Sequence, residues 1–183
     1  MEQMKVNDRT YEIIRLLGHG KGGYSYLASD GTKEAVIKQI HHEPCSYYQF
    51  GDKIQAELTD YEKLRKTGIR IPQMLDVDQE RERILKEYIQ GPTIYELILQ
   101  GQMSEKYVWQ VRQMSEQARQ AGLNIDYFPT NFVVHGKALD RQLYYIDYEC
   151  NPYTKEWNFE NWGIWYWSKT PEFMQYAREH KSS

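Results

Sequence analysis

Alternating apolar and polar residues near the start of the chain predict three short β-strands. The runs are residues 11–17, 24–28 and 34–40, with the sequences YEIIRLL, YSYLA and EAVIKQI. They are rich in the β-branched and aromatic residues that favour strands. A glycine cluster at residues 18–23 and a Ser-Asp-Gly turn at 29–31 separate them. Because these connections are too short for helical crossovers, the pattern predicts an antiparallel sheet.

Helical spacing of apolar residues takes over in two longer segments. Residues 52–67 repeat large apolar side chains at helical intervals and end at Gly68, a residue type that commonly terminates helices. Ser104 is a candidate N-cap for a second long helix. The pair Thr170-Pro171 has the cap-then-proline order typical of a helix start, so a final helix is predicted there.

Further short apolar runs complete the predicted architecture. They lie at residues 73–77, 83–88, 132–135 and 143–147, and the last two are spaced as a hairpin. Strands therefore come first and helices dominate later, which indicates the α+β class. We expect a single domain over 1–183, with lobes at 1–90 and 91–183 that join near Gly91-Pro92.

Composition narrows the class of protein without naming a function. Of the 183 residues, 40% are hydrophobic, 27% are charged and 14% are aromatic, which argues against disorder. The net charge of −3 does not indicate nucleic acid or membrane as a partner. Two cysteines, Cys45 and Cys150, and the lack of a long apolar run predict reduced thiols and a cytoplasmic location.

The glycine cluster is the first candidate for chemistry. Gly18-His19-Gly20-Lys21-Gly22-Gly23 lies between two predicted strands, where glycines let backbone N–H groups approach phosphate oxygens. A strand follows it instead of a helix, so it does not fit a dinucleotide-binding fingerprint. Taken alone, a plain glycine turn remains an equally good interpretation.

Lys38 is the second candidate, at the end of the apolar run Ala35-Val36-Ile37. A flexible cation in this position suits the non-transferring phosphates of a nucleotide. Glu57 on the following helix could pair with it, and Glu62 is the competitor. The alternative is a lysine at a strand end that points into solvent.

Three polar residues further along form the third candidate. Asp126 and Asn131 bracket the segment DYFPTN, and Asp147 ends the run LYYID. An aspartate can accept the proton of a hydroxyl group, and an amide oxygen and a second carboxylate can bind a divalent metal ion. Turn-forming residues in ordinary loops would give the same composition.

Together, and in this order, these motifs resemble the protein-kinase superfamily from the glycine loop to the metal-binding aspartate. The segment ending in Ile71-Pro72 is similar to RIO-type kinases, and Ile146-Asp147-Tyr148-Glu149 is similar to aminoglycoside and choline phosphotransferases. The resemblance implies a minimal bilobal protein-kinase-like fold with a short helical C-lobe. It implies a serine/threonine-kinase-like phosphotransferase that uses ATP and Mg²⁺.

The resemblance also implies a role for each motif residue. Gly18, Gly20 and Gly23 would cover the phosphates, and Lys38, held by Glu57, would contact them. The backbone of Glu87 and Ile89 would receive adenine. Asp126 would be the catalytic base, and Asn131 and Asp147 would bind the metal ion. The phosphoacceptor would be an unknown protein or small molecule, with no membrane partner expected. The alternative function is a nucleotide-binding pseudokinase that acts as an interaction module.

The sequence departs from ordinary kinases at several points. Asn124-Ile125 stands where an H-R dipeptide usually precedes the base, and Phe128 replaces a lysine. The tryptophan-rich segment 157–167 is expected to cover the lower core, with an exposed docking surface as the alternative. The cluster His41-His42-Glu43-Cys45 is interpreted as a connection and not as a metal site, since it lacks a second ligand pair.

Overall fold

The computed structural model describes residues 2–20, 22–43 and 52–181, so Lys21 and Cys45 lie outside the described residues. The chain forms two compact units. The first combines Met1–Tyr61 with Pro72–Tyr88, and the second combines Glu62–Ile71 with Ile89–Ser183. The segment at residues 62–71 is therefore inserted, in sequence, between the two parts of the first unit.

The first unit is built on a six-stranded antiparallel sheet. Its strands are β1 (Gln3–Val6), β2 (Arg9–His19), β3 (Gly23–Ser29), β4 (Glu34–Ile40), β5 (Met74–Asp78) and β6 (Arg83–Glu87), in the spatial order β1-β2-β3-β4-β6-β5. The predicted antiparallel arrangement is confirmed, and the five predicted strands of this region are present. The sheet also has a strand that the sequence analysis missed, β1.

Local turn chemistry explains why the strands reverse where they do. Between β3 and β4, the Asp30 carboxylate accepts hydrogen bonds from the backbone N–H groups of Thr32 at 2.9 Å and Lys33 at 2.8 Å. These bonds, led by the one from Lys33, lower the pKa of Asp30 to about 2. Gly31 supplies the left-handed backbone of this turn at φ 96°.

Helix α1 (Lys53–Leu64) packs on the sheet of the first unit through its apolar side. Ile54 is buried in a cluster with Ile40 and Ile84, and Leu58 is packed against the same cluster. The predicted helix over 52–67 is thus confirmed with a slightly earlier end. The turn that follows the helix ends at Gly68, whose backbone φ of +82° favours glycine.

In its described residues the second unit contains three complete α-helices, several short 3-10 helices and two small sheets. Its elements are α2 (Ile94–Leu99), α3 (Glu105–Gln120), β7 (Leu123–Ile125), β8 (Phe132–His135), β9 (Gln142–Tyr145), β10 (Cys150–Pro152) and α4 (Pro171–Glu179). The predicted caps are formed, since Ser104 accepts from Lys106 N and Thr170 accepts from Phe173 N. The predicted β8–β9 hairpin is also confirmed, whereas α2, β7 and β10 were not predicted.

Some side chains of the tryptophan-rich segment are buried in the core of the second unit, and others are exposed at its surface. Phe159 and Trp167 are buried, with Trp167 donating its indole N–H to the Tyr127 carbonyl at 2.7 Å. Trp157 and Trp165, however, are 52% and 53% exposed. The expectation that the whole segment covers the core is therefore wrong for these two side chains.

Among residues 2–20, 22–43 and 52–181, every helix is too short or too polar to pass through a lipid bilayer.

Candidate functional site

Lys38 occupies an interior strand of the sheet in the first unit. On β4 it stands opposite Ser25 of β3 and Ile84 of β6. Its side chain is only 14% exposed, and its ammonium group donates to the Oε1 atom of Glu57, which is 15% exposed. Lysine is seldom buried without a partner, so the solvent-pointing alternative is excluded.

The choice between the two candidate glutamates follows from helix geometry. Glu57 lies between Ile54 and Leu58, which both pack on the sheet, so the same side of α1 carries its carboxylate toward β4. Glu62 instead pairs with Arg65 at the surface, at 2.8 Å. The second oxygen of Glu57, Oε2, is buried and accepts no hydrogen bond from the part of the chain that the structure describes.

The β2–β3 hairpin carries Gly18, Gly20 and Gly23 and is named the glycine hairpin for them. It lies directly beside Lys38. A Cβ atom added at Gly23 would stand 3.2 Å from two carbons of the Lys38 side chain and 2.6 Å from the Gln39 carbonyl oxygen. Any larger residue at Gly23 would therefore displace the strand or the lysine. Gly18 and Gly20 differ, because a Cβ there would meet no atom of the described residues within 4 Å. Packing does not explain those two glycines, which leaves room for an approaching group.

In the second unit, a strand pair brings together the two loops that carry Asp126 and Asp147. The strands β7 and β10 are antiparallel, with Ile125 opposite Cys150. Asp126 follows β7 directly, and Asp147 lies shortly before β10, so this pairing makes the two loops neighbours in space. Neither three-residue strand was predicted, although they define this part of the site.

Tyr145 connects the same two loops through its hydroxyl group. The hydroxyl accepts from the backbone N–H of Asp126 at 3.1 Å and donates to the Glu149 carbonyl at 2.7 Å. Burial, followed by the nearby charges of Asp147 and Asp126, raises the pKa of Tyr145 well above its ordinary value. The hydroxyl therefore keeps its proton at any physiological pH and can serve both bonds.

Asn131 contacts the backbone of Asp126 and of Ile146, the residue before Asp147. Its side-chain amide donates to the Asp126 carbonyl at 3.3 Å, and its own carbonyl accepts from Ile146 N at 2.9 Å. A short 3-10 helix, Pro129–Asn131, places it there. The second unit thus brings Asp126, Asn131 and the residue before Asp147 into one small region.

The two carboxylates are oriented by the backbone around them. Asp126 Oδ1 accepts from Phe128 N at 3.1 Å, and Asp147 Oδ1 accepts from Tyr148 N at 2.7 Å. The side chains of Asp126, Asn131 and Asp147 all offer oxygen atoms as possible metal ligands. Such hard ligands fit Mg²⁺, which binds through one or two carboxylates and leaves other positions for phosphates and water.

The two residues expected to receive adenine belong to different units. Glu87 ends β6 in the first unit, and Ile89 opens the second part of the second unit. The backbone N–H of Glu87 already donates to the Gln73 carbonyl at 2.9 Å, and its carboxylate accepts from Gln73 N at 3.1 Å. The backbone N–H of Glu87 is therefore already engaged, and of its two backbone groups only the carbonyl could contact adenine.

Phe128 has a packing role in the second unit. Its ring centroid lies 4.5 Å from that of Tyr176 and 5.3 Å from that of Tyr166. Sequence reasoning treated this residue as a lost cation. The structure shows an aromatic anchor that joins the Asp126 loop to the C-terminal helix α4.

Two residues of the site were missed from the sequence. Tyr145 could have been found from the alternation of β9, which turns Leu143 and Tyr145 inward, since a buried tyrosine needs a partner for its hydroxyl. Asn124 is buried and donates to the Thr154 carbonyl at 2.8 Å. Nothing in its local sequence signals that contact, because its partner lies thirty residues away.

Comparisons with known proteins give one similarity to a kinase. No protein-family model matches the chain. The chain is 30% identical, over 118 residues, to the serine/threonine-protein kinase PknA of Nostoc sp. strain PCC 7120. The alignment covers 59% of this chain and 21% of that kinase. The similarity supports a kinase-like relationship over part of the chain, and the chain spans about a fifth of the relative's length.

Proposed function

We propose that this protein is a serine/threonine-kinase-like phosphotransferase that moves the γ-phosphate of Mg·ATP to a hydroxyl group. The observation that carries the proposal is the ion pair between Lys38 and Glu57, on an antiparallel sheet and beside the glycine hairpin. A lysine–glutamate pair of this kind positions the cation for nucleotide phosphates in kinases. The partial similarity to a serine/threonine kinase supports the same conclusion.

The first unit would bind the phosphates in this proposal. Gly18 and Gly20 have open space where a Cβ atom would lie, so a phosphate group could approach the backbone of the hairpin there, and Gly23 keeps Lys38 unobstructed. The Gly20 N–H itself already donates to the Gly23 carbonyl at 3.0 Å. Glu57 would hold Lys38 in place, and the buried Oε2 atom of Glu57 supports a role beyond a simple surface ion pair.

The second unit would supply the metal ligands and the base. Asn131 and Asp147 would hold Mg²⁺, which would neutralise charge on the phosphates. Asp126 would accept the proton of the attacking hydroxyl group, a contribution of about 10²–10⁴-fold to the rate. The hydrogen bonds of the Tyr145 hydroxyl would hold the Asp126 loop and the Asp147 loop in fixed positions relative to each other.

The identity of the acceptor is part of the proposal. The partial similarity to a serine/threonine-protein kinase supports serine or threonine hydroxyls as acceptors. The resemblance of Ile146-Asp147-Tyr148-Glu149 to aminoglycoside and choline phosphotransferases keeps small-molecule alcohols as a second class of acceptor. Phosphoamino-acid analysis after autophosphorylation, beside a panel of small alcohols, would distinguish the two.

The test combines binding with turnover in a series of variants. Purified protein is incubated with Mg·ATP, and both the melting temperature and the release of labelled phosphate or phosphoprotein are measured. Lys38→Met is expected to weaken the thermal stabilisation by Mg·ATP, because the phosphates lose their cation. Asp126→Asn is expected to keep the stabilisation and lose at least about 100-fold in turnover.

Matched controls come from exposed residues of the same type. Lys33→Met in the first unit and Asp140→Asn in the second should leave both measurements unchanged. The proposal fails if millimolar Mg·ATP produces no thermal shift, or if Asp126→Asn and Asp147→Asn turn over ATP as fast as the parent protein.

The packing of Phe128 favours a second candidate, a pseudokinase that binds nucleotide without turnover. Ordinary kinases often place a lysine at this position, where it faces the phosphate, but here the side chain is engaged with Tyr166 and Tyr176. This candidate expects thermal stabilisation by Mg·ATP that follows mass action, no phosphate transfer, and equal stabilisation of the parent and Asp126→Asn.

A further inference from the structure

Three potential metal ligands meet at the tip of the glycine hairpin. His19 ends β2, and His41 and Glu43 follow β4, yet one ligand atom from each lies within 4.8 Å of the other two. His41 Nδ1 is 3.6 Å from Glu43 Oε2, and His19 Nε2 is 3.9 Å from the same oxygen. All three residues belong to the first unit.

The hydrogen bond of His41 selects the tautomer that a metal ligand needs. Its Nε2 atom lies 2.7 Å from the Gly20 carbonyl oxygen, which can only accept, so Nε2 carries the proton. The lone pair is therefore on Nδ1, the atom nearest to Glu43. A metal-bound histidine normally donates its other ring N–H to a carbonyl or carboxylate in this way. At present Nδ1 accepts from the Glu43 backbone N–H at 3.2 Å, a long bond that an ion would replace.

Neighbouring side chains hold the three ligands in place. The ring of Tyr24 stacks on His19 with centroids 4.2 Å apart, and its hydroxyl donates to Glu43 Oε2 at 2.5 Å. The ammonium group of Lys53, which is buried, donates to the His41 carbonyl. Each of the three ligand residues is thus positioned by a neighbouring side chain, which reduces the entropic cost of ordering the ligands around an ion.

An ordinary surface cluster is the simpler alternative, since Glu43 already has the Tyr24 hydroxyl. That hydrogen bond uses one lone pair of Oε2 and does not explain why two imidazoles converge on the same carboxylate. His19 and Glu43 have side chains that are 51% and 52% exposed, so an ion from solution can reach them, while His41 is only 10% exposed. Two histidines and one glutamate with an open fourth position are a common ligand set of Zn²⁺.

We propose that His19, His41 and Glu43 form a three-ligand site for a divalent transition-metal ion of the Zn²⁺ type. Ligand atoms around a tetrahedral zinc ion are about 3.3 Å apart, so the site needs to contract by less than about 1.5 Å at its widest separation. The sequence interpretation of His41-His42-Glu43 as a plain connection lacked His19, which the β2–β3 hairpin brings to the cluster. The site does not depend on the proposed phosphotransferase function.

The test is a Zn²⁺ titration of the full chain against a chromophoric chelator, with Co²⁺ as a spectroscopic probe. One equivalent of Zn²⁺ is expected to bind. His19→Ala and Glu43→Gln should each lower the affinity at least about 10-fold, the smallest loss expected even for an outer partner of a metal ligand. His42→Ala is the matched control, because the His42 ring contacts Glu82 at 2.7 Å and stands outside the cluster.

The Co²⁺ derivative adds a readout of which ligand atoms bind the ion. Visible absorption of a nitrogen- and oxygen-ligated ion, without a thiolate charge-transfer band, is expected for the parent and His42→Ala and should be lost in His19→Ala. Circular dichroism checks that each variant is folded. The proposal is overturned if Zn²⁺ does not bind stoichiometrically, if His19→Ala and His42→Ala behave alike, or if the cobalt spectrum shows thiolate ligation.

Discussion

Asp78 is a carboxylate buried at the end of β5, where it ties two turns of the first unit together. It accepts from Arg81 N at 2.9 Å, from Asn7 N at 2.8 Å and from the Arg81 guanidinium at 3.0 Å. These bonds, led by the Arg81 backbone N–H, lower the pKa of Asp78 from 3.8 to about 2. Because the folded pKa is the lower one, Asp78 stabilises the protein above about pH 4, and that contribution disappears as the pH falls toward 2.

Asp78→Asn tests this contribution. A neutral amide cannot accept all three hydrogen bonds, so we expect a loss of about 1–3 kcal/mol in the free energy of unfolding near neutral pH. The difference between parent and variant should shrink between pH 4 and pH 2, as measured by thermal unfolding followed by circular dichroism. Glu80→Gln, at an exposed position, is the control. A difference that stays constant across this pH range would contradict the assignment.

Tyr145 gives a second prediction at the level of one side chain. Tyr145→Phe keeps the buried ring and removes only the hydroxyl that joins Asp126 N to the Glu149 carbonyl. We expect a loss of about 1–3 kcal/mol, measured by urea denaturation, because a buried N–H loses its acceptor. If the proposed function holds, turnover falls as well.

The neighbouring tyrosine provides the matched control for Tyr145. Tyr144 lies on the other side of the same strand and is only half-buried. Tyr144→Phe should change stability by less than about 0.5 kcal/mol. Equal effects of the two substitutions would show that the Tyr145 hydroxyl does not connect the loops.

At the level of elements, the C-terminal segment supports the Asp126 loop through a close backbone approach at Gly163. A Cβ atom at this position would lie 2.6 Å from Tyr127 Cβ and 2.8 Å from a ring carbon of Phe159. Both neighbours are fully buried and cannot move aside cheaply. The tryptophan-rich segment therefore depends on glycine here for steric reasons.

Gly163→Ala is expected to destabilise the protein by about 1–3 kcal/mol through overpacking, measured by calorimetry. Gly20→Ala serves as the control for stability, because an added Cβ there would lie more than 4 Å from every contact atom in residues 2–20, 22–43 and 52–181. Similar melting temperatures for Gly163→Ala and the parent would mean that the 163 region can relax away from Tyr127.

Most elements of four or more residues were predictable from the sequence, and the three-residue strands were not. The strands β2 to β4 and the helices α1 and α3 extend over enough residues for an apolar period to repeat. The strands β7 and β10 have three residues each, so their pairing depends on tertiary contacts and leaves no period to detect.

The same distinction applies to the candidate site. Each motif residue could be chosen from its local pattern, including Lys38 and Asp147. The selection of Glu57 over Glu62 needed the packed side of α1, and the contact between Asn131 and the Asp126 carbonyl needed the fold of the loop. Sequence supplied the candidates, and packing selected among them.

At the level of the whole molecule, two separate segments of the chain, Glu62–Ile71 and Ile89–Ser183, form the second unit. Arg70 connects the first of these segments to the second. Its guanidinium donates to the Leu143 carbonyl and to Gln110 Oε1, each at 2.9 Å, and its carbonyl accepts from Tyr145 N at 2.9 Å. A residue from the region before β5 thus stabilises the β8–β9 hairpin far along the chain.

Arg70→Ala is expected to lower the free energy of unfolding by about 1–3 kcal/mol, because the Leu143 carbonyl and the Gln110 side chain lose a charged donor. Arg65→Ala, which removes an exposed ion pair with Glu62, should cost less than about 1 kcal/mol. Calorimetry of both variants makes the comparison. The anchor role is wrong if the two substitutions are equivalent.

The placement of the tryptophans has a consequence for spectroscopy. All five, from Trp109 to Trp167, belong to the second unit, and the sequence of the first unit contains none. Indole fluorescence therefore monitors one half of the protein directly, whereas far-ultraviolet dichroism also records the six-stranded sheet. Melting curves that differ between these two signals would reveal that the halves lose their structure at different temperatures.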